Sequence, residues 1–176
     1  FEGITTAASY ELFPSGTTLT QKGHTTDLWK TTGRALIVAE GKIGLPASNL
    51  HGLDYSCLIQ TYFGGESPAD YTSIKRDFSN LAVGLKHRVS FWQARRKGML
   101  TPLVYSVKVD NKLVFSTVPS RDYWVHVLSD SFTPTSTSVE VLFEISNENG
   151  DKRDRNIALN GISVVREGIC HICELI

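Results

Sequence analysis

The chain has 176 residues, of which 41% are hydrophobic and 20% charged, a balance that lets one domain bury a sizeable core. Basic and acidic residues both number 18, so net charge gives no general attraction to nucleic acid or to an anionic membrane. No apolar run approaches the roughly 20 residues of a membrane-spanning helix. We therefore predict one globular domain over residues 1–176, with no nucleic-acid partner and no membrane insertion.

Strand patterns dominate the chain after an irregular start. Residues 1–30 are rich in Thr, Ser and Gly and predict one strand followed by loops. Period-2 alternation or short apolar runs then predict strands at 35–39, 55–62, 89–93, 103–109, 113–117, 123–128, 139–145 and 157–165. Residues 64–73 are predicted to form a loop that carries Tyr71. No window longer than about two turns keeps an apolar stripe at helical spacing.

The alternation also predicts which side chains face the core. One face of 103–109 and one face of 139–145 are apolar throughout, whereas Glu140 and Glu144 face outward. The core assignment includes Tyr105, Trp124 and Phe143, and Asp110-Asn111 predicts a tight hairpin. Short strands at this spacing predict an all-β fold, a two-sheet antiparallel jelly-roll sandwich.

The sequence contains no recognisable catalytic motif. It lacks the short motifs of serine hydrolases, zinc proteases and phosphate-binding loops, and its five histidines are scattered. The 170–173 stretch, Cys-His-Ile-Cys, has metal-like spacing, but only Cys57 could add a further thiolate. We interpret Cys170 and Cys173 as a disulfide near the chain end or as thiols with partners elsewhere, and Cys57 as a buried apolar residue.

Basic residues are concentrated in one part of the chain. Residues 78–109 hold six cations and no acid: Lys86, Arg88, Arg95, Arg96, Lys97 and Lys108. If Val89 and Phe91 face the core, Trp92 and Arg88 face the other way, with Arg96 beyond. An outward indole beside guanidinium groups suits a sugar ring with acidic substituents. The alternative is that Trp92 packs beneath a loop or between the sheets, and that 95–97 is a solvated strand end.

Several segments, in the same order along nearly the whole chain, resemble the galactose-binding-like β-sandwich of carbohydrate-binding modules. They are Phe1-Glu2, Trp29, Phe78-Ser79-Asn80-Leu81, Gly84, the 89–92 strand, Trp124, the Thr/Ser-rich 132–136 turn and the 157–164 strand. Arg76 and Asn160 depart from the family pattern, which favours glutamine and aspartate at these positions. The resemblance implies a structural calcium ion held by Glu2 and the Asn160 region, and an extracellular or cell-surface location.

The resulting prediction is non-catalytic binding of a polysaccharide or glycan, with an acidic glycan preferred. The predicted ligand-binding residues are Trp92, Arg88, Arg96, Arg76, Tyr62 and Tyr71, and the predicted metal ligands are Glu2 and Asn160. Other domains of the same chain are further candidate partners. The alternative is a structural or adhesion domain of a multidomain surface or virion protein that mediates protein contacts, because fold alone does not fix function.

Overall fold

The computed structural model describes residues 10–13, 18–20, 28–39, 42–43, 45–46, 55–61, 71–97, 104–119, 121–146 and 156–168. Within these ranges the chain forms twelve strands: β1 (Tyr10–Phe13), β2 (Thr18–Thr20), β3 (Leu28–Thr32), β4 (Arg34–Ala39), β5 (Tyr55–Gln60), β6 (Tyr71–Phe78), β7 (His87–Ala94), β8 (Tyr105–Val109), β9 (Lys112–Thr117), β10 (Val125–Leu128), β11 (Val139–Ser146) and β12 (Asn156–Arg166). No helix in the described ranges is long and apolar enough to cross a membrane.

The strands form two antiparallel sheets of six strands each. Sheet A has the order β1-β4-β5-β12-β7-β10, and sheet B has the order β2-β3-β6-β11-β8-β9. The predicted all-β jelly-roll sandwich is confirmed. The Asp110-Asn111 hairpin is confirmed as well, because both residues have positive φ angles, 46° and 64°, as a two-residue hairpin turn requires.

The core between the sheets follows the alternation that the sequence predicts. Burial in β8 and β11 alternates from residue to residue, with Tyr105 and Phe143 inside and Glu140 and Glu144 on the other face. Phe91 of β7 lies among these rings, with its centroid 5.0 Å from that of Phe143 and 6.4 Å from that of Tyr105, both in edge-to-face geometry. Edge-to-face pairs add to the free energy gained by burial of the rings, so this cluster ties sheet A to sheet B.

Strand β6 was not predicted, and residues 71–73, predicted as loop, are its first three residues. Few of its side chains are apolar, which hides the strand pattern. Tertiary pairing overrides the weak local signal: β6 pairs with β11 along its whole length. On the outer face Lys75 Nζ lies 2.8 Å from the Glu140 carboxylate of that partner strand. A central strand can therefore carry a charged outer face when its neighbour supplies the opposite charge.

The core prediction for Trp124 needs correction, because this residue packs on the opposite face of sheet A. A second apolar cluster lies there, formed by Leu36, Val38, Leu45, Leu58, Ala94 and Ala158, and Trp124 packs against it. The indole Nε1 donates a hydrogen bond to the Pro46 carbonyl oxygen at 3.1 Å. Both faces of this part of sheet A are covered, so alternation alone does not show which face a large apolar residue occupies.

The corner between β3 and β4, where the chain passes from sheet B to sheet A, depends on Gly33. Its φ angle is +74°, and a Cβ atom there would lie 2.4 Å from Thr72 Oγ1 and 2.8 Å from the Tyr71 carbonyl oxygen. Thr72 is fully buried, and its hydroxyl donates a hydrogen bond to the Gln60 carbonyl oxygen at 2.8 Å. The two sheets approach so closely at this corner that the chain requires a residue without a side chain.

Gly33→Ala should lower the free energy of unfolding by about 2–4 kcal/mol, through backbone strain and overpacking together. Gly84→Ala is the matched control, because its φ is +77° but nothing lies within 4 Å of the added Cβ. That variant should lose only about 1 kcal/mol. Chemical denaturation of both variants measures the difference, and equal losses would contradict the close approach at Gly33.

Two buried groups that can lose a proton at alkaline pH make the free energy of unfolding depend on pH. Burial raises the pKa of the Cys57 thiol to about 12, and burial also raises the pKa of the Tyr105 hydroxyl. Both groups are neutral when protonated, so the folded state holds their protons at pH values where the unfolded chain releases them. The stability that they contribute is complete below their unfolded pKa values, roughly 8.5 and 10, and is lost as pH rises above them.

The free energy of unfolding should therefore fall between pH 9 and pH 12, and Cys57→Ala should make this fall shallower. Cys57 accounts for up to about 1.4 kcal/mol per pH unit of the slope. Denaturation curves collected at several pH values for parent and variant provide the measurement. Parallel pH profiles would show that the Cys57 thiol does not stay protonated in the fold.

Candidate ligand-binding site

The outer face of sheet A carries the side chains that alternate with the core residues of β7. Val89 and Phe91 are fully buried in the core, which turns Ser90 and Trp92 to the outer face. Trp92 is partly exposed, and its ring centroid lies 4.9 Å from that of His126 on the neighbouring strand β10. Of the two alternatives for Trp92, the structure places it on the outer face rather than between the sheets.

A β-bulge in β12 shapes this face at the level of Trp92. Asn160 pairs with Trp92 and Ser163 pairs with Ser90, so two residues of β12 oppose the single residue Phe91. Gly161 has a φ of 53°, and the Asn160 side-chain oxygen accepts a hydrogen bond from its amide at 2.8 Å. A bulge of this kind reverses the alternation of the strand, so the side chains that follow it point to the opposite faces from those that continued alternation would give.

A cleft of about 290 Å³ lies beyond the bulge, beside Trp92. We call it the sheet A cleft, and its lining residues are Arg88, Ser90, His126, Leu128, Val165, Arg166, Glu167 and Gly168. The Ser90 Oγ and His126 Nε2 atoms are 2.8 Å apart, and Leu128 is 48% exposed. The cleft thus joins an imidazole, a hydroxyl, apolar surface and charged groups in one concave site, and Trp92 adjoins it through its ring contact with His126.

The two arginines of the cleft differ in whether they pair with a carboxylate. Arg88 Nε donates to a Glu167 carboxylate oxygen at 2.5 Å and its Nη1 to the Ser129 carbonyl oxygen at 2.9 Å. Arg166 is exposed and has no ionic partner among the residues that the structure describes. An anionic ligand would therefore find Arg166 available, whereas Arg88 is already neutralised and held in place.

The other predicted ligand residues do not join this cleft. Arg96 donates from Nε to the Ile43 carbonyl oxygen at 2.5 Å and so holds the 42–46 segment against sheet A. Arg76 belongs to sheet B, where its guanidinium lies 4.9 Å from the Phe78 ring centroid. Tyr71 is 51% exposed on the outer face of sheet B, and Tyr62 lies outside the described residues.

Of the eight residues that line the cleft, only Arg88 was among the predicted ligand-binding residues. His126, Arg166 and Glu167 come from β10 and from the end of β12, far from β7 in the chain. His126 faces Trp92 because β10 pairs with β7 in this register. The outward position of His126 beside the buried Val127 was readable from the 123–128 strand pattern, but its contact with Trp92 was not.

The predicted metal role of Asn160 does not fit its surroundings. The side chain is fully buried, its Nδ2 donates to Ser56 Oγ at 3.2 Å, and its oxygen accepts from the Gly161 amide. Within the described ranges no three His, Cys, Asp or Glu side chains are grouped for metal binding. Glu2, Cys170 and Cys173 lie outside those ranges, so the calcium prediction rests on Glu2 and stays a prediction.

The Ser90–His126 contact has the atoms of a nucleophile and its base, but the chemistry needs more than this pair. A third group normally orients the histidine through its second ring nitrogen. In the part of the chain that the structure describes, no side chain is bonded to His126 Nδ1, and the nearby carboxylate of Glu167 is paired with Arg88.

No protein-family model and no curated protein matches this sequence. Among solved structures, the chain is similar to the CBM22-1 xylan-binding domain from Paenibacillus barcinonensis, at 13% identity over 90% of this chain and 99% of that one, with a TM-score of 0.53. It is also similar to a CBM61 module solved with β-1,4-galactotriose, at 13% identity over 79% and 88%, with a TM-score of 0.52. A third similar structure is the K3 cleaved adhesin domain of Lys-gingipain from Porphyromonas gingivalis, at 13% identity over 78% and 91%, with a TM-score of 0.50. At such identities the likeness shows the shared β-sandwich fold.

Proposed function

We propose that this protein binds carbohydrate without catalysing a reaction, and that the sheet A cleft is its binding site. The observation that carries the proposal is the Trp92–His126 ring pair beside a cleft that also offers the Ser90 hydroxyl and Arg166, a cation with no ionic partner among the described residues. A partly exposed indole can stack on the apolar face of a sugar ring while neighbouring polar groups bond its hydroxyls. The xylan-binding and galactotriose-bound modules of the same fold support this function.

An acidic glycan is the preferred ligand under this proposal. Arg166 can pair with a carboxylate or sulfate in a planar, two-point geometry. Glu167 does not oppose this preference, because its charge is balanced by Arg88. Uronic-acid or sulfated polymers of this kind occur outside cells, so the proposal includes an extracellular or cell-surface location, with other domains of the same chain as possible neighbours.

A protein-contact domain remains the second candidate, and one observation favours it. Exposed apolar side chains lie on the adjoining edge strands of the two sheets, with Leu113 of β9 62% exposed and Leu128 of β10 48% exposed. Such residues can belong to an interface when they form one continuous patch. Leu128 also lines the sheet A cleft, so substitution of Leu113 alone separates the two candidates.

Trp92→Ala should weaken binding to a uronic-acid polymer by about 1–3 kcal/mol, the scale for losing one aromatic anchor. Tyr71→Ala is the matched control, since it removes an exposed ring from the opposite sheet and should leave affinity unchanged. Affinity electrophoresis or calorimetry measures the change, and thermal melting verifies that both variants stay folded. A folded Trp92→Ala protein with parental affinity would place the site elsewhere.

Arg166→Gln should flatten the salt dependence of acidic-glycan binding, because screening weakens exposed charge pairs most. Arg88→Gln should change the salt dependence less but lower the melting temperature, since it leaves Glu167 without its partner. Binding measured from low to high ionic strength tests both variants. If a neutral polymer binds as tightly as an acidic one at low salt, the acidic preference is wrong even if the cleft binds sugar.

A further inference from the structure

A second cavity lies at the end of the sandwich, apart from the sheet A cleft. It has a volume of about 370 Å³ and forms where β9 leaves sheet B and β10 begins in sheet A. Its walls include Gln93, Thr117, Val118, Arg121, Tyr123 and Trp124, none of which lines the sheet A cleft. We call it the rim pocket. Its volume is within the range that holds a small ligand of one or two rings.

Gln93 supplies a fixed hydrogen-bond donor to the rim pocket. Its side-chain oxygen accepts a hydrogen bond from the hydroxyl of Tyr105, whose ring is 1% exposed and packed in the core. In this arrangement the amide oxygen faces Tyr105, and the amide nitrogen Nε2 has no partner among the described residues. Because Gln93 lines the pocket, this Nε2 group is a hydrogen-bond donor that the rim pocket can offer to a ligand.

Tyr123 and Arg121 provide an aromatic face and a cation at the mouth of the pocket. Tyr123 is 53% exposed, and the Arg121 guanidinium lies 5.8 Å from its ring centroid. The Arg121 carbonyl oxygen accepts a hydrogen bond from the Arg95 amide at 2.8 Å, which fixes the 121–124 segment to the end of β7. Trp124 is fixed through its bond to Pro46. An exposed tyrosine on an anchored segment costs little conformational entropy when a ligand stacks on it.

The charge of the rim pocket is positive. Arg121 has no ionic partner in the described part of the chain, and the adjacent Asp122 does not line the cavity. Among the described residues that form its walls there is no carboxylate, whereas the sheet A cleft contains Glu167. A guanidinium in this position can bind a carboxylate through two parallel hydrogen bonds.

We propose that the rim pocket is a second binding site, which takes a short acidic saccharide of one to three rings. Tyr123 stacks on the ring, Gln93 donates to a ring substituent, and Arg121 binds the carboxylate. The proposal extends the proposed function to a separate site, and it rests on that function for the ligand class. Together the two sites would let one domain engage two parts of a polymer, which raises avidity without a new contact.

The test uses the trisaccharide of galacturonic acid and, as a neutral counterpart, galactotriose of the same linkage, which has hydroxymethyl groups in place of the carboxylates. Tyr123→Ala and Arg121→Gln should each weaken trisaccharide binding roughly tenfold or more, the scale for losing one anchor. Both residues are exposed, so the fold should be retained and melting curves verify it. Trp92→Ala is the counterpart variant, which should leave the rim pocket intact. Galactotriose should bind the parent more weakly than the acidic trisaccharide.

Amide chemical shifts recorded during the titration locate the bound ligand. Shifts at 117–125 that vanish in Tyr123→Ala but persist in Trp92→Ala support the rim pocket. Shifts confined to 88–92, 126–128 and 165–168 overturn it while the proposed function stands. If Tyr123→Ala loses all binding and Trp92→Ala loses none, the rim pocket proposal is supported and the sheet A cleft is not the binding site. If neither the trisaccharide nor any polymer binds the parent protein, both proposals are wrong.

Discussion

The pairing of β12 with β5 on one side and β7 on the other is the interaction on which the rest of this structure depends. The first residues of β12 pair with β5, and after the bulge its later residues pair with β7 alone. Strand β12 has eleven residues, and its core-facing side chains change from odd to even positions at the bulge. The bulge must therefore reverse the alternation for one face of the strand to stay apolar. Before Gly161 the core residues are Ile157 and Leu159, and after it Ile162 and Val164 pack against the core.

The same bulge divides the outer face of sheet A into a covered and an open half. Toward one end, Ala158 joins the apolar cluster that Trp124 and the 42–46 segment cover, with Arg96 holding that segment in place. Toward the other end, Val165 faces the open cleft. Asn160 lies at the boundary, and its two side-chain bonds leave no buried polar atom unsatisfied there. A covered apolar face and an open cleft therefore occur on the outer side of one sheet.

The distribution of charge within the fold shows how a protein with no net charge can carry local positive surface. Two of the six cations in the basic stretch of the sequence pair with carboxylates, Lys108 with Glu144 and Arg88 with Glu167. Arg166 and Arg121, which lie outside the basic stretch, have no ionic partner in the described ranges. The shared sandwich at 13% identity is consistent with this separation, since the fold needs only an alternating apolar core while the surface charges are free to vary.

The sequence by itself determined the fold class, most of the strands and the direction in which Val89, Phe91 and Trp92 point. Side-chain direction in a strand is a local property with a period of two, so neighbouring residues are sufficient to specify it. It did not determine that β6 is a strand, since that polar segment is stabilised by pairing with β11 on one side and β3 on the other. Tertiary structure alone decided what each outward residue meets: Trp92 faces His126, Arg88 faces Glu167, Arg96 faces a backbone carbonyl and Asn160 faces Ser56. These contacts join residues far apart in the chain, and their partners depend on strand order and register, which no local pattern encodes.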